Sequence, residues 1–276
     1  MALSKEDFDC IRKLIKEHSG IWLSDMKMTF LETRLSSRLK ETNMDTVKDY
    51  FYYLKYDPQR ENELERLIDA VAIKETYFFR DEEQLEDFSQ QIVPELLKKK
   101  AAGQPLVVWS AACATGEEPY TLAMLLLEHP AKIHPSRINI LASDISPTAL
   151  QAAREGIYDT YSLRHAAGYH REKYFEGNSN GKYQVKDQVK HLVRFANINI
   201  INSLNTGRIQ HIDCIFCSNV LIYFDDQDKG NCLNNFYQAL KKGGYLLTSQ
   251  VESLSRLSHL FEMVRLKKTT AYRKPE

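Results

Sequence analysis

The 276-residue chain has no long hydrophobic run and no excess of either charge. No stretch approaches the roughly 18 apolar residues that cross a bilayer, which argues against direct membrane insertion. The amino terminus, MALSKEDFDC, lacks the apolar core of a secretory signal, so we expect a cytoplasmic protein. The 37 basic and 37 acidic residues balance, which disfavours a broad nucleic-acid-binding face.

Cysteines are few and unevenly placed, with five in the chain. Cys214 and Cys217 are three apart in the apolar segment IDCIFC, and a strand would turn them to opposite faces. Buried thiols are therefore favoured over a metal or redox pair. The sequence also shows no Ser/His/Asp or metal-ligating constellation, so no metal is expected.

Apolar residues recur at helical spacing through residues 1–73, which predicts a small all-α domain. In its second helix Arg34 and Arg38 are four residues apart and Lys40 follows. We predict that the two arginines share the face opposite the apolar stripe, with Lys40 nearby. A solvated charged face and a basic patch that docks an acidic partner are equal alternatives.

Residues 74–104 break this pattern. The segment KETYFFRDE places three aromatic rings between charges, and one more helix follows it. We predict a linker that packs across the next domain and leads into that domain through the helix.

Residues 107–120, VVWSAACATGEEPY, read as a strand, a loop of small residues and a helix start with Glu117, Glu118 and Pro119. Ligands of open α/β sheets bind at such loops, because small residues admit the ligand and the helix start offers free N–H groups. An ordinary crossover fits the same pattern. The loop lacks the GxGxxG glycines, which disfavours a nicotinamide dehydrogenase.

Further strands are predicted at residues 138–142, 192–196, 212–217 and 245–249, with small or polar residues after several of them. Asp144, Asn199 and Asn219 would therefore meet at one sheet edge and line a ligand crevice. Asp144 has two equal interpretations, a ligand for ribose hydroxyls or the cap of the next helix. Residues 157–193, rich in tyrosine, glycine and asparagine, predict an inserted antiparallel element.

Four segments together resemble the chemotaxis receptor methyltransferase family of the CheR type. KETYFFRD is similar to the family's NETxFFR, and VWSAACATGEEPY to its cofactor loop. ASDIS resembles its second-strand motif, and IFCSNVLIYF resembles IFCRNVLIYF. The resemblance implies an α/β fold. A Rossmann-like S-adenosylmethionine-dependent methyltransferase sheet over residues 105–276 would carry a small inserted antiparallel β-subdomain and follow the all-α N-terminal domain.

The family's activity is implied in the same way. The enzyme would transfer a methyl group from S-adenosylmethionine to glutamate side chains of methyl-accepting chemotaxis receptors, leaving S-adenosylhomocysteine. A glutamate is already ionised near neutral pH, so no general base is required. We expect a monomer that acts on the receptor's cytoplasmic domain, which in some members is tethered through the inserted hairpin.

Motif position assigns roles to individual residues of this chain. Tyr223 would lie near the transferred methyl group, and Arg80 would serve both catalysis and binding. Arg34, Arg38 and Lys40 would face the receptor. The implied cofactor contacts are Thr76, Arg80, Glu118, Asp144, Asn199, Ile200 and Asn219.

Three departures from the motifs keep a rival hypothesis open. Residues 249–251 depart from the family's usual small-residue GxS run before Glu252. Lys74 stands where the family usually has Asn, and Ser218 where it usually has Arg. We predict that the two changes compensate, with Lys74 holding the cofactor's carboxylate or the incoming glutamate; Lys74 extending into solvent is the alternative. The rival function is a catalytically weakened member that acts as an S-adenosylmethionine- or receptor-binding regulatory module.

Overall fold

The computed structural model describes residues 3–177, 180–252, 254 and 259–276. The chain forms two compact units. The first holds Met1–Ile73 and Ile222–Asp228, and the second holds Lys74–Leu221 and Lys229–Glu276. No pattern in the sequence predicts that residues 222–228 group with the helices. Among the described residues, no helix combines the length and the apolar character needed to span a membrane.

The first unit is helical, which confirms the predicted all-α domain. Ser4 caps the first helix by accepting the N–H of Asp7, and Gly20 ends that helix with a left-handed backbone. Thr46 caps the third helix in the same way, through the N–H of Asp49. The helices are α1 (Lys5–Ser19), α2 (Met28–Thr42), α3 (Val47–Tyr56) and α4 (Arg60–Val71).

Arg38 faces the interior of this unit, and the prediction that it lies outward with Arg34 is wrong. Its side chain donates from Nη2 and Nε to the two oxygens of Glu63, at 2.7 and 2.8 Å. Tyr50 donates to the same carboxylate at 2.6 Å, and Arg38 is only 7% exposed. The hydrogen bonds from Arg38 to Glu63 raise the pKa of the guanidinium, so Arg38 stays charged.

The second unit is built around a sheet of seven strands in the order β6-β2-β1-β7-β8-β10-β9. Its strands are β1 (Leu106–Ala111), β2 (Ile138–Asp144), β6 (Val193–Asn197), β7 (Ile212–Phe216), β8 (Leu240–Leu247), β9 (Glu262–Arg265) and β10 (Thr270–Arg273). The helices that follow α4 along the chain are α5 (Glu82–Asp87), α6 (Val93–Lys98), α7 (Glu117–Leu127), α8 (Pro147–Glu155), α9 (Gly168–Tyr174), α10 (Asp187–Lys190), α11 (Ser203–Thr206) and α12 (Asp226–Ala239).

The strand order reverses at β1, which pairs in parallel with β2 on one side and β7 on the other. This is the switch point of a doubly wound sheet, where ligands bind at the carboxyl ends of the strands. At the end of the sheet opposite β6, β10 pairs antiparallel with β8, and β9 pairs antiparallel with β10. The strand predicted at residues 245–249 begins earlier, because β8 includes residues 242–244, where Gly243 has a φ of +69°.

The predicted insertion forms a separate antiparallel sheet of order β3-β5-β4. Its strands are β3 (Ile157–Tyr158), β4 (Phe175–Gly177) and β5 (Tyr183–Val185). Part of the turn predicted between β4 and β5, at residues 178–179, lies outside the described residues. Both the main sheet and the inserted sheet agree with the fold class expected from the sequence.

Replacing Arg38 by alanine should destabilise the protein by about 3 kcal/mol, because it leaves the buried carboxylate of Glu63 without its cation. Arg34 on the same helix is exposed. Arg34→Ala is therefore the matched control and should change stability by less than about 0.5 kcal/mol. Denaturant unfolding of the full chain measures both values. If both substitutions lower the free energy of unfolding by the same small amount, Arg38 has no stabilising role in a buried network.

Candidate active site

The loop after β1 is held in a strained left-handed conformation at three of its small residues. Ala112 and Ala114 have φ values of +60° and +48°, and Gly116, at the start of α7, has +96°. A Cβ atom on Gly116 would lie 2.8 Å from the Cβ of Ala153, so a larger residue would displace α8. Such strained backbone concentrates at functional sites, which favours a ligand loop over an ordinary crossover.

Asp144, at the end of β2, connects two loops. Its Oδ2 accepts the N–H of Ala114 at 2.8 Å, and its Oδ1 accepts the N–H of Ser146 at 2.8 Å. Ser146 itself caps α8 by accepting the N–H of Ala149. The interpretation of Asp144 as the helix cap is therefore wrong, and its carboxylate is directed to the edge where the loop after β1 lies.

Glu118, in the first turn of α7, is a perturbed acid. Burial raises the pKa of Glu118 to about 7. The Ser110 hydroxyl, which donates to Glu118 at 2.6 Å, has the opposite effect and lowers this pKa. The carboxylates of Asp81 and Glu252 raise this pKa further, while the guanidinium of Arg80 lowers it. Asp81, Arg80 and Glu252 thus lie within electrostatic range of Glu118, with more acidic than basic groups among them.

Glu252 holds the backbone of the segments that follow β7 and β8. Its Oε2 accepts the N–H groups of Asn219 and Ser249, at 2.9 and 3.0 Å, and the Ser249 hydroxyl at 2.9 Å. Asn219 has a left-handed backbone, with a φ of +63°. Its side-chain oxygen is buried and has no hydrogen-bond partner among the described residues.

A cavity of about 400 Å³ opens beside Asn219 and is lined by residues 81–84, Asn219 and residues 249–251. Gln84 ties its walls together, because it donates to the carbonyl of Thr248 at 2.7 Å and accepts the Ser218 hydroxyl at 3.3 Å. Sequence reasoning missed Asp81, Gln84 and Glu252 as members of the site. Asp81 ends the KETYFFRD segment but received no role there, and only the fold brings Gln84 and Glu252 to the residues that follow β7.

The linker before α5 contributes Arg80, Thr76 and Lys74. Arg80 is half-buried and donates to the carbonyl of Glu75 at 3.1 Å, and Thr76 is half-buried in the same segment. Lys74 donates to the Thr148 hydroxyl at 2.7 Å, in the first turn of α8. The alternative in which Lys74 simply extends into solvent is therefore wrong. Its compensation with Ser218 stays a prediction.

The segment after β6 lies against β2. The Asn197 amide donates to the carbonyl of Asp144 at 3.1 Å. Asn199 accepts the N–H of Ile201 at 3.2 Å, and the carbonyl of the buried Ile200 accepts the Asn235 amide at 2.9 Å. The structure thus brings Asp144 close to residues 197–200.

Tyr223 belongs to the first unit, where its carbonyl accepts the N–H of Trp22 at 2.8 Å. In the same segment Asp225 forms an ion pair with Lys16 of α1. This pair lowers the pKa of Asp225, and the carboxylate also accepts the N–H of Asp228 at 2.9 Å. Residues 222–228 are therefore held by side chains and backbone of the helical unit.

A doubly wound sheet with a strained loop after β1 and an acidic residue at the end of β2 defines a Rossmann-like ligand-binding domain. Residues 74–270 match the family model described as the CheR methyltransferase SAM-binding domain. Residues 6–72 match that of the CheR methyltransferase all-alpha domain. The chain belongs to the CheR methyltransferase family.

Relatives of this family match along nearly the whole chain. Chemotaxis protein methyltransferase 2 of Vibrio cholerae serotype O1 is 35% identical over 275 residues, which cover 100% of this chain and 95% of the relative. The chemotaxis protein methyltransferase of Borreliella burgdorferi is 34% identical, with 91% and 89% covered. Chemotaxis protein methyltransferase 1 of Pseudomonas aeruginosa is 31% identical, with 99% of each chain covered.

Proposed function

We propose that the protein is an S-adenosylmethionine-dependent glutamate O-methyltransferase that esterifies the cytoplasmic domain of chemotaxis receptors. The observation that carries the proposal is the acidic edge of the sheet, where burial raises the pKa of Glu118 to about 7. S-adenosylmethionine bears a sulfonium and an ammonium group, and a buried carboxylate favours a cation beside it. The buried oxygen of Asn219 adds an acceptor at the same edge.

Each side chain at this edge has a role suited to its chemistry. Asp144 would accept hydrogen bonds from the ribose hydroxyls, and Glu118 would stabilise the cationic end of the cofactor. Asn199 and Ile200 contact the cofactor from the end of β6. The planar fork of Arg80 binds a carboxylate with two parallel hydrogen bonds. Carboxylates are present on both the cofactor and the substrate, so Arg80 can hold the cofactor's carboxylate or the reacting carboxylate of the glutamate.

S-adenosylmethionine, when bound, supplies an electrophilic methyl group. The protein's contribution is to hold the receptor glutamate in line with that group, since alignment alone lowers the barrier of a bimolecular reaction by several kcal/mol. No residue has to remove a proton, because the acceptor carboxylate is ionised at neutral pH. A role for Tyr223 in the transfer rests on its position in the VLIYF segment alone.

The receptor docks on a basic surface of α2 that excludes Arg38. We define this basic surface as Lys27, Arg34 and Lys40, which are exposed. The cations of Lys27 and Arg34 both lie over the ring of Phe30, at 5.8 and 5.1 Å from its centroid. Positive charge on this face complements a substrate segment that is rich in glutamate.

Receptor-enriched membranes incubated with the protein and methyl-labelled S-adenosylmethionine should acquire label that mild alkali releases as methanol, the behaviour of a methyl ester. Asp144→Asn should weaken cofactor binding roughly tenfold or more, because a charged acceptor is lost. Asp187→Asn, an exposed aspartate of α10, is the control. Absence of alkali-labile label, with cofactor bound, would refute glutamate esterification. Unchanged affinity in Asp144→Asn would remove Asp144 from the site.

Charge reversal on the basic surface should separate docking from cofactor binding. Arg34→Glu with Lys40→Glu should lower the rate of receptor methylation by roughly tenfold, through lost electrostatic steering. Calorimetry should show unchanged cofactor affinity. The matched control reverses two exposed lysines of the next helix, Lys48→Glu with Lys55→Glu. Equal loss of rate in both double variants would show a general charge effect and no docking role for α2.

A further inference from the structure

The linker that carries Arg80 is packed into the insertion by three consecutive aromatic rings. Each ring contacts a different partner there. Tyr77 stacks on His165 at 5.0 Å, Phe78 meets Tyr158 and Phe175 edge-on at 4.8 and 5.0 Å, and Phe79 stacks on His170 at 4.4 Å with 24° between the planes.

Arg80 lies between two residues with unfavourable backbone. Phe79 and Asp81 have φ values of +59° and +57°, a region that bulky residues avoid. The N–H of Phe79 donates to the Thr121 hydroxyl of α7 at 3.1 Å. This strained conformation persists only if surrounding contacts hold it. The Phe79 ring packs against the hydrophobic core and stacks on His170, and the stacking is its ring contact within the insertion.

His170 is a fixed, uncharged ring. It is 8% exposed, and its burial lowers its pKa against the influence of Glu128. Its Nε2 lies 3.2 Å from Glu128, whereas its Nδ1 is buried with no partner among the described residues. A second proton would sit on this unpartnered nitrogen, so the neutral tautomer that donates from Nε2 is favoured.

Glu128 fixes this ring to the main sheet domain. The residue follows the last turn of α7, the helix whose first turn carries Glu118. Three further donors from α9 reach the same carboxylate, namely Tyr169 at 2.9 Å, Lys173 at 2.9 Å and Tyr174 at 3.2 Å. The helix α7 therefore anchors, at its two ends, the acid of the site and the insertion that holds the linker.

We propose that His170, held by Glu128, is a positioning residue for the cofactor site. Its ring keeps Phe79 in the left-handed conformation and thereby sets Arg80 beside Glu118. The inference rests on the proposed role of Arg80 in cofactor binding. It gives the insertion a task inside the enzyme itself, in addition to any partner that the insertion binds.

Calorimetric titration with S-adenosylhomocysteine tests this proposal on the full chain, below the unfolding temperature of each variant. His170→Ala should raise Kd by about two- to tenfold, the scale of one aromatic contact. His170→Phe keeps the stacking ring and should restore the affinity. Phe79→Gly relieves the backbone strain but removes the ring, so it should bind as weakly as His170→Ala. If His170→Ala fails to fold, Phe79→Leu replaces it, with the same expected loss.

A double-mutant cycle separates positioning from general loosening. In an Arg80→Ala background, His170→Ala should have no further effect on Kd, because the residue that it positions is absent. The control is His129→Ala. His129 is also buried, but it bonds the main chain of Ser89 and Ala131, and its removal should leave Kd unchanged. Wild-type affinity in His170→Ala or Phe79→Gly, or an undiminished effect without Arg80, would overturn the positioning role. A wild-type protein that does not bind S-adenosylhomocysteine would overturn the proposed function itself.

Discussion

Carboxylates held at one edge of a parallel sheet by neutral donors are the constraint on which this structure depends. Glu118 receives a serine hydroxyl, Asp144 receives two backbone N–H groups, and Glu252 receives two N–H groups and a hydroxyl. Neutral donors satisfy oxygens of each carboxylate but bring no positive charge of their own. Under the proposed function a cationic ligand supplies positive charge at this edge, and burial, which raises the pKa of Glu118 to about 7, makes its carboxyl group sensitive to such a ligand.

The backbone segments around this edge also have unfavourable conformations. Phe79, Asp81, Ala112, Ala114 and Asn219 all have positive φ and come from three separate segments of the second unit. Each of these conformations costs free energy, and the sheet, α7 and the insertion together keep them in place. A prepared site of this kind limits the reorganisation required when ligand binds, which is how an alignment-driven transfer gains rate.

The alternation of strands and helices, and the position of Asp144 after β2, followed from the sequence because both are local patterns. The orientation of the Arg38 side chain did not follow from the sequence. Its place between Leu35 and Leu39 put it at the border of the apolar stripe, and Glu63, on a different helix, decides its direction. Glu252 likewise joins the site through contacts that no local pattern encodes.

Proton release on cofactor binding tests the acidic edge most directly. Near pH 6.5 the free protein holds Glu118 largely protonated, since its pKa is about 7. A cation bound beside it lowers that pKa, so binding of S-adenosylmethionine should release most of one proton. Titration calorimetry in buffers of different ionisation enthalpy counts these protons, and Glu118→Gln serves as the reference for protons from the ligand. The account predicts clearly greater release from the wild type than from Glu118→Gln, and equal release from the two proteins would contradict it.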